Sequence, residues 1–264
     1  MSDRDRRLAL VTGASSGIGE AFARRLARDA YDLVLVARRS DALASLAEEL
    51  RSRTGVSVEC TTADLTVDAD LRRVEQRVRS SPAFDLVVNN AGVGTAGAFA
   101  AQDVEREEEQ IRLNVLALTR LTHAAVSSML PRGCGAVINV SSLAGIGPYP
   151  FTATYGATKA FVNSLTEALG EELRGTGVRV QALCPGFTRT RFQERAGVDP
   201  STVPGFAWMS AEAVVDASLA ALARGDLVCV PGAGYRFLAA ASGAVPRGAF
   251  RRLVGMVQGR RYRG

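Results

Sequence analysis

Short apolar runs alternate with longer amphipathic stretches along most of the chain. The runs are rich in Val, Ile and Leu, which is typical of parallel strands that are buried on both faces. They lie at Leu8 to Val11, Leu33 to Val36, Val56 to Cys60, Leu86 to Val88, Ala136 to Val140, Val178 to Leu183 and Leu227 to Val230. Stretches with helical spacing separate them, at Glu20 to Arg28, Asp41 to Arg53, Asp70 to Arg79, Ile111 to Leu130, Thr158 to Leu173 and Ala211 to Leu222. This alternation predicts an α/β fold with one parallel sheet covered by helices on both faces.

The same pattern predicts one domain, residues 1–234, followed by a tail of residues 235–264. No internal repeat, low-complexity segment or linker interrupts the first part. A long irregular segment, Phe187 to Met209, follows the end of a predicted strand. In an open α/β sheet the ligand binds at the carboxyl ends of the strands, so we expect this segment to border the site.

The composition is close to that of an average globular protein. Hydrophobic residues make up 47% and charged residues 22% of the 264 residues, which disfavours disordered, collagen-like and coiled-coil classes. No run of about 18 apolar residues predicts a spanning helix and no secretory signal pattern is present, so a cytoplasmic protein is expected. The four cysteines lie far apart without a CxxC pair, which argues against disulfides and against a metal site.

The net charge of +5 is concentrated at the C-terminus. Seven arginines and no acidic residue follow residue 234, so residues 1–234 carry a net charge of −2. A basic balance confined to the tail gives no support for nucleic-acid binding by the main domain. Lys159 is the only lysine in this arginine-rich chain. A site that needs a compact ammonium would resist replacement by arginine, so Lys159 is a candidate for a chemical role.

A glycine-rich turn, Thr12 to Gly19 (TGASSGIG), follows the first predicted strand and opens the first helix. Glycines at this spacing allow a tight turn and close approach of the backbone to a phosphate at the helix N-terminus. A glycine triplet alone would also fit an ordinary turn between a strand and a helix. The second strand ends in Arg38 and Arg39, without the carboxylate that usually binds an NAD ribose. A guanidinium there suits a 2′-phosphate, which favours NADP over NAD.

With the later motifs added, the chain resembles the short-chain dehydrogenase/reductase family from residue 7 to about residue 231. TGASSGIG resembles the family's cofactor turn, NNAG at Asn89 to Gly92 its mid-sheet motif, and CPGFTRT at Cys184 to Thr190 its nicotinamide segment. The resemblance implies a single-domain, Rossmann-type, doubly wound sheet, and it implies a catalytic tetrad of Asn114, Ser142, Tyr155 and Lys159. The expected cofactor-binding residues are Gly13, Ser15, Ser16, Gly17, Ile18, Gly19, Arg38, Arg39, Asp64, Leu65, Asn90, Ala91, Gly92, Tyr155, Lys159, Pro185, Gly186 and Thr188.

The chemistry of the tetrad is also visible in the residues themselves. Tyr155 and Lys159 stand four residues apart in a predicted helix, so their side chains share one face. An ammonium stabilises a phenolate, so Lys159 is expected to lower the pKa of Tyr155. In ketone reduction Tyr155 donates a proton to the oxygen, which Ser142 orients; Ser141 is the adjacent alternative, but the family's spacing selects Ser142. The resemblance assigns Lys159 also to the nicotinamide ribose, and Asn114 to a water that replenishes the proton.

These residues predict an NADP(H)-dependent oxidoreductase that interconverts a secondary alcohol and a ketone. The alternative is a non-catalytic NADP(H) sensor or interaction module on the same fold, which the intact Tyr155 and Lys159 argue against. The irregular segment is apolar and aromatic, which favours a medium to large hydrophobic ketone, although the same side chains would also suit packing on the core. These side chains are Phe187, Phe192, Phe206, Trp208 and Met209.

Two expectations concern partners. A homo-oligomer is expected by resemblance, with the helices around residues 111–130 and 153–173 forming the shared face. In the tail, apolar residues recur at helical spacing after Pro246, which predicts a short amphipathic helix. We expect the tail to pack on the body or on a partner and to help close the substrate site, with weak contact to a membrane surface or to an acidic carrier protein as an addition. A solvated terminus is the alternative.

Overall fold

The computed structural model describes residues 6–80, 83–199, 201, 203–244, 248 and 252. In that part of the chain, seven parallel strands form one sheet in the order β3-β2-β1-β4-β5-β6-β7. The strands are β1 (Leu8–Thr12), β2 (Asp32–Ala37), β3 (Val58–Thr62), β4 (Leu86–Asn89), β5 (Gly135–Val140), β6 (Val178–Leu183) and β7 (Val228–Cys229). The strand order reverses between β1 and β4, which makes the sheet doubly wound and confirms the predicted Rossmann-type fold.

Helices cover both faces of the sheet. The described helices are α1 (Gly17–Arg28), α2 (Ser40–Thr54), α3 (Asp68–Arg79), α4 (Val104–Ile111), α5 (Leu118–Met129), α6 (Ala153–Glu172), α7 (Phe192–Arg195), α8 (Ala211–Arg224) and α9 (Ala233–Ala244). Side chains of α1, α2 and α8 share one hydrophobic core, and those of α3 and α5 share the other. Alternate residues of β1 belong to the two cores, which explains why its sequence is apolar throughout.

The strand β3 is not buried on both faces, although the sequence predicts this for every strand. It begins at Val58 rather than Val56, and its residues Glu59 and Cys60 are exposed. β3 pairs only with β2 and lies at the edge of the sheet, so one of its sides has no neighbouring strand. The exposed polar residues are what an edge position allows.

The expected helix from Ile111 to Leu130 is longer and less regular than its sequence indicated. It begins with α4, continues through a π-helical turn, Arg112–Ala117, and ends with α5. Only Glu107 and Gln110 are buried in α4, so this helix has no apolar stripe that periodicity would detect. The helix α9 was not expected either, and it crosses the domain boundary placed between residues 234 and 235.

A buried polar network ties α6 to the centre of the sheet. Asn139 in β5 is fully buried, and its Nδ2 donates to Thr166 Oγ1 in α6 at 3.0 Å. Asn139 Oδ1 accepts from Asn89 Nδ2 at 2.9 Å and from Thr122 Oγ1 at 3.0 Å. Directional bonds inside a core fix one packing arrangement, because any other would leave buried polar atoms unpaired. The rotation of α6 relative to the sheet is therefore determined.

None of the described helices is long and apolar enough to cross a membrane. All four cysteines are free thiols. The described residues contain no group of three or more His, Cys, Asp or Glu side chains that could hold a metal ion. Of the amphipathic helix that the sequence predicts after Pro246, only residues 248 and 252 are among the described residues, so this prediction stays untested.

Candidate active site

A cavity of about 750 Å³ opens at the carboxyl ends of the central strands, where the strand order reverses. It is lined by every residue expected to bind the cofactor except Gly19, and by every expected catalytic residue except Asn114. Gly19 and Asn114 are buried. Segments that are distant in the sequence therefore meet at one site, as the parallel sheet requires.

The glycines of the turn are required by its backbone geometry and by close packing. Gly13 and Gly17 have φ angles of +66° and +60°, in the left-handed region that favours glycine. A Cβ atom at Gly19 would lie 2.4 Å from the carbonyl oxygen of Gly13. Asn90 closes the turn, because its Nδ2 donates to the carbonyl oxygen of Thr12 at 2.9 Å. The N-terminus of α1 is left open towards the cavity, as anion binding requires.

Arg38 and Arg39 lie at one end of the cavity, held by neighbouring groups. Arg39 Nη2 donates to the carbonyl oxygen of Ser15 at 2.5 Å. Arg38 Nη1 lies 3.6 Å from Asp64 Oδ2 and 3.4 Å from Glu109 Oε1. Burial opposes ionisation of Asp64, but hydrogen bonds from Thr66 and the charge of Arg38 outweigh it and lower the pKa of Asp64. Arg38 is thus oriented by two carboxylates, one of which, Glu109, was not expected from the sequence.

Three further arginines, Arg106, Arg191 and Arg195, line the same cavity, although no motif pointed to them. Arg106 lies in α4, and the other two belong to the segment around α7. Burial lowers the pKa of Arg195, and the positive charges of Arg39, Arg191 and Arg38 lower it further. Arg195 forms no ion pair with any described residue, in contrast to Arg38 and Arg191.

The expected proton donor and its neighbours meet where β5 ends against α6. Tyr155 lies in the first turn of α6, half-buried, and its hydroxyl shares a hydrogen bond with Ser142. Ser141 Oγ instead donates to the carbonyl oxygen of Lys159 at 2.9 Å. The Lys159 ammonium is buried, donates to the carbonyl oxygen of Val140 at 2.8 Å and lies 5.8 Å from the centre of the Tyr155 ring. Ser142, rather than Ser141, is therefore the serine beside the phenol.

The pKa of Tyr155 differs from the sequence-based expectation. Burial raises the pKa of Tyr155 to about 12, although the hydrogen bond with Ser142 acts in the opposite direction. Burial also lowers the pKa of Lys159 to about 8. The expected lowering by the ammonium is not realised, because Lys159 Nζ is directed at Val140 and burial dominates both groups. Tyr155 consequently keeps its proton at neutral pH, which is the form that can donate.

Asn114 supports the site from behind its wall. It lies in the π-helical turn, where its Nδ2 donates to Val93 O at 2.8 Å and to Thr158 Oγ1 at 3.1 Å, and its Oδ1 accepts from Val93 N at 3.0 Å. A Cβ atom at Gly92 would lie 3.1 Å from Asn114 Oδ1 and 3.5 Å from Lys159 Nζ. The side chain of Asn114 therefore orders the backbone beside Lys159, and its amide is already engaged by protein groups.

Comparison with known proteins agrees with this arrangement. A family model described as short chain dehydrogenase matches residues 7–200. The chain belongs to the short-chain dehydrogenase/reductase family. Sulfoacetaldehyde reductase 2 of Chromohalobacter salexigens is 42% identical over 192 residues, which cover 70% of this chain and 74% of that protein.

Two solved structures of the family are similar over most of the chain. A short-chain dehydrogenase from Sphingobium yanoikuyae in complex with NADPH is 43% identical and superimposes with a TM-score of 0.83, covering 90% of this chain and 93% of that one. A bulky-bulky ketone specific alcohol dehydrogenase from Comamonas testosteroni is 38% identical, with a TM-score of 0.78, covering 86% and 87%. The fold and the oxidoreductase class are thus shared with characterised members of the family.

The irregular segment of this chain lines the cavity with only part of its apolar residues. Phe187 and Phe192 face the cavity, and the Phe192 ring lies 5.5 Å from the Tyr155 ring. Phe206 is 93% exposed and does not line the cavity, which differs from the expectation for it. Trp208 packs against Phe187 at 5.7 Å between ring centres, away from the cavity.

The wall near Tyr155 also contains residues that no motif predicted. They come from the segment after β4, from the segment between β5 and α6, from the irregular segment, and from α9 at the start of the expected tail. These residues are Val93, Gly94, Thr95, Ala96, Leu143, Ala144, Tyr149, Thr152, Val198, Tyr235 and Leu238. Their positions depend on where each segment returns to the sheet, and sequence periodicity carries no signal for that.

The buried Lys159 ammonium should reduce the stability of the protein without cofactor. The unfolded chain binds the lysine proton with a pKa of 10.5, whereas the folded chain binds it with a pKa of about 8, so protonation favours the unfolded state below pH 10.5. We expect Lys159→Met to raise the free energy of unfolding at pH 7 by about 2 kcal/mol. This is a net value, in which the lost bond to Val140 offsets part of the removed burial cost. Urea denaturation of both proteins across the pH range measures this difference.

The pH dependence provides the internal control for this prediction. The advantage of Lys159→Met should shrink as the pH rises above about 8 and disappear roughly 1.5 units higher. Above pH 10.5, where the lysine is largely neutral in both states, the bond to Val140 should make the wild type the more stable protein. A variant that is less stable than the wild type at pH 7, or an advantage that does not change with pH, would contradict the burial cost.

Proposed function

We propose that this protein is an NADP(H)-dependent oxidoreductase that interconverts a medium to large hydrophobic ketone and the corresponding secondary alcohol. The observation that carries the proposal is the Tyr155 phenol, which keeps its proton, shares a hydrogen bond with Ser142 and borders a cavity lined by a phosphate-binding turn. A protein that only binds the cofactor has no need of such a proton donor.

The turn and its surroundings fit a dinucleotide. Side chains are absent at Gly13, Gly17 and Gly92, where the backbone borders the cavity, and a Cβ atom at Gly17 would lie 2.9 Å from Thr190 Cγ2. Backbone amides at the N-terminus of α1 suit the pyrophosphate. When bound, the nicotinamide supplies the hydride for carbonyl reduction, and Pro185, Gly186 and Thr188 are the residues that would contact it.

The chain's own residues move the proton. Tyr155 donates its hydroxyl proton to the carbonyl oxygen as negative charge develops there, and Ser142 donates a hydrogen bond to the same oxygen. The phenolate left on Tyr155 lies in a buried setting that favours its reprotonation, with the Lys159 ammonium 5.8 Å from the centre of the ring. The contacts of Asn114 support a positioning role for its side chain, which holds Val93 and Thr158 beside this pair.

The cofactor preference rests on the arginines at the far end of the cavity. Arg38 and Arg39 follow β2, where an NAD-binding protein of this fold carries a carboxylate, and Arg195 adds a cation without a described ion-pair partner. A 2′-phosphate would be attracted by this group of charges. The NADPH complex of the Sphingobium relative supports the same preference.

The hydrophobic substrate class rests on the apolar side chains that border Tyr155. Phe187, Phe192 and Leu143 line the cavity there, and apolar walls of this kind bind apolar ligands. The bulky-bulky ketone specificity named for the Comamonas relative supports a bulky ketone. The competing class is the small anionic aldehyde named for the Chromohalobacter relative.

Replacing the proton donor tests the proposed function. We expect Tyr155→Phe to reduce turnover about 100-fold or more, because the ring remains but the proton donor is lost. NADPH binding should stay nearly unchanged.

Turnover is measured as the loss of NADPH absorbance with a panel of bulky ketones, and sulfoacetaldehyde serves as the small anionic comparison. Fluorescence titration measures NADPH binding. Wild-type protein that binds NADPH but reduces no member of the panel would favour a sensor, and sulfoacetaldehyde as the preferred substrate would contradict the hydrophobic class.

Arg38→Asp tests the cofactor preference. It removes a cation from the expected phosphate position and adds a third carboxylate beside Asp64 and Glu109. We expect NADPH affinity to fall about 10- to 150-fold while NAD affinity is maintained. Arg28→Asp, the same charge change at an exposed residue outside the cavity, is the control. Wild-type protein that binds NAD as tightly as NADP would contradict this part of the proposal.

The self-association proposal rests on an exposed apolar surface formed by α6 and the junction of α4 with α5. Ile111, Leu116 and Phe161 are 40% to 49% exposed there. Exposed apolar side chains of this kind mark a contact surface. We expect light scattering to give at least a dimer of the 27.9 kDa chain, and Phe161→Arg to shift it towards a monomer. Phe206→Arg, at an exposed residue of the irregular segment, is the control, and a wild-type monomer at micromolar concentration would contradict this proposal.

A further inference from the structure

Tyr235 joins three separate segments at the mouth of the cavity. It lies in the first turn of α9, is half-buried and lines the cavity. Its hydroxyl accepts a hydrogen bond from the backbone N–H of Phe187 at 3.1 Å and donates one to the carbonyl oxygen of Ala207 at 2.6 Å. The two ends of the irregular segment are thus bridged by one side chain from α9.

The hydroxyl stands in the place of a backbone hydrogen bond. The irregular segment is closed at its base by a parallel pairing in which Met209 N donates to Phe187 O and Arg189 N donates to Met209 O, each at 2.9 Å. The next bond of a parallel ladder would run from Phe187 N to Ala207 O. Tyr235 Oη bridges these two atoms instead, so the pairing continues through the side chain.

The Tyr235 ring packs directly against Gly186. A Cβ atom built at Gly186 would lie 2.2 Å from Tyr235 Cζ, which is far inside contact distance. Gly186 belongs to the segment that we propose contacts the nicotinamide. The ring therefore supports this backbone from the side of α9 and limits how far it can move in that direction.

We propose that Tyr235 is a positioning residue. It holds the Pro185–Thr188 backbone in the position needed for hydride transfer and links this backbone to the far end of the irregular segment. This inference rests on the proposed function. Tyr235 acts through Gly186 and Phe187 rather than on the substrate, because both hydrogen-bonding directions of its hydroxyl are taken by backbone groups. Burial raises the pKa of Tyr235, so the hydroxyl keeps the proton that it donates to Ala207.

Tyr235→Phe removes the bridging oxygen and keeps the ring on Gly186. We expect kcat for the ketone to fall about 3- to 10-fold, the effect of losing one or two hydrogen bonds in the geometry of the reacting pair. The Kd for NADPH should change less than about twofold, because most of the cofactor is held elsewhere. Tyr31→Phe is the matched control, since Tyr31 packs against Arg7 outside the cavity.

Trp208 gives a readout that needs no turnover. It is the only tryptophan of the chain, follows Ala207 directly and packs against Phe187. We expect acrylamide to quench its fluorescence more efficiently in Tyr235→Phe than in the wild type, with and without NADPH, and to quench Tyr31→Phe like the wild type.

A double variant tests the ring contact. Gly186→Ala should reduce kcat/KM strongly in the wild-type background, where the new methyl group meets the ring. The loss should be smaller in the Tyr235→Ala background, where that space is free. Equal losses in both backgrounds would contradict the proposed contact.

The outcomes separate this inference from the proposed function. An active wild type with unchanged kcat and unchanged Trp208 quenching in Tyr235→Phe would overturn the inference alone. If Tyr235→Phe lowers the melting temperature but leaves kcat and quenching unchanged, Tyr235 contributes only to stability, and the inference is overturned as well. A wild type that reduces no ketone contradicts the proposed function. In that case the positioning role is overturned with it, and the quenching measured with NADPH reports only whether the bridge exists.

Discussion

The site depends on how α6 docks onto the carboxyl end of β5. Three buried polar contacts determine this docking: Asn139 binds Thr166, Ser141 binds the backbone of Lys159, and the Lys159 ammonium binds Val140 O. Each would leave an unpaired buried group if the helix rotated or slid. Because Tyr155 is one helical turn before Lys159, the same contacts direct the phenol towards Ser142 and the cavity.

Burial at this junction has opposite consequences for the two titratable groups. It keeps the proton on Tyr155 and weakens the hold of Lys159 on its own proton, because low polarity disfavours the charged form of each. The space around Lys159 Nζ is limited by Gly92, Asn114 and the Val140 carbonyl. A planar guanidinium is larger than an ammonium and would not fit in this space. This is a physical reason for a lysine at this position in a chain whose other basic residues, apart from its histidine, are arginines.

The cavity has two chemically different ends that are built by different means. Its arginine-lined end is assembled from the carboxyl end of β2 and the segment around α7, with Glu109 and Asp64 orienting Arg38. Its apolar end is assembled from the irregular segment and α9, which are joined through Tyr235. Residues between β6 and α8 contribute to both ends. A shift of this region would therefore move side chains at the arginine-lined end and at the apolar end together.

The sequence by itself determined the features that repeat locally: buried strands, the glycine turn, and the pairing of Tyr155 with Lys159 on one helix face. These follow from side-chain periodicity and backbone conformation, which neighbouring residues dictate. The tertiary structure decided what depends on distant segments. It placed Ser142, rather than Ser141, beside the Tyr155 hydroxyl, set the pKa of Tyr155 by burial, exposed Phe206, and brought Glu109, Arg195 and Tyr235 to the cavity. Such contacts arise where loops return to the sheet, and the return point is fixed by packing of the whole domain rather than by any local pattern.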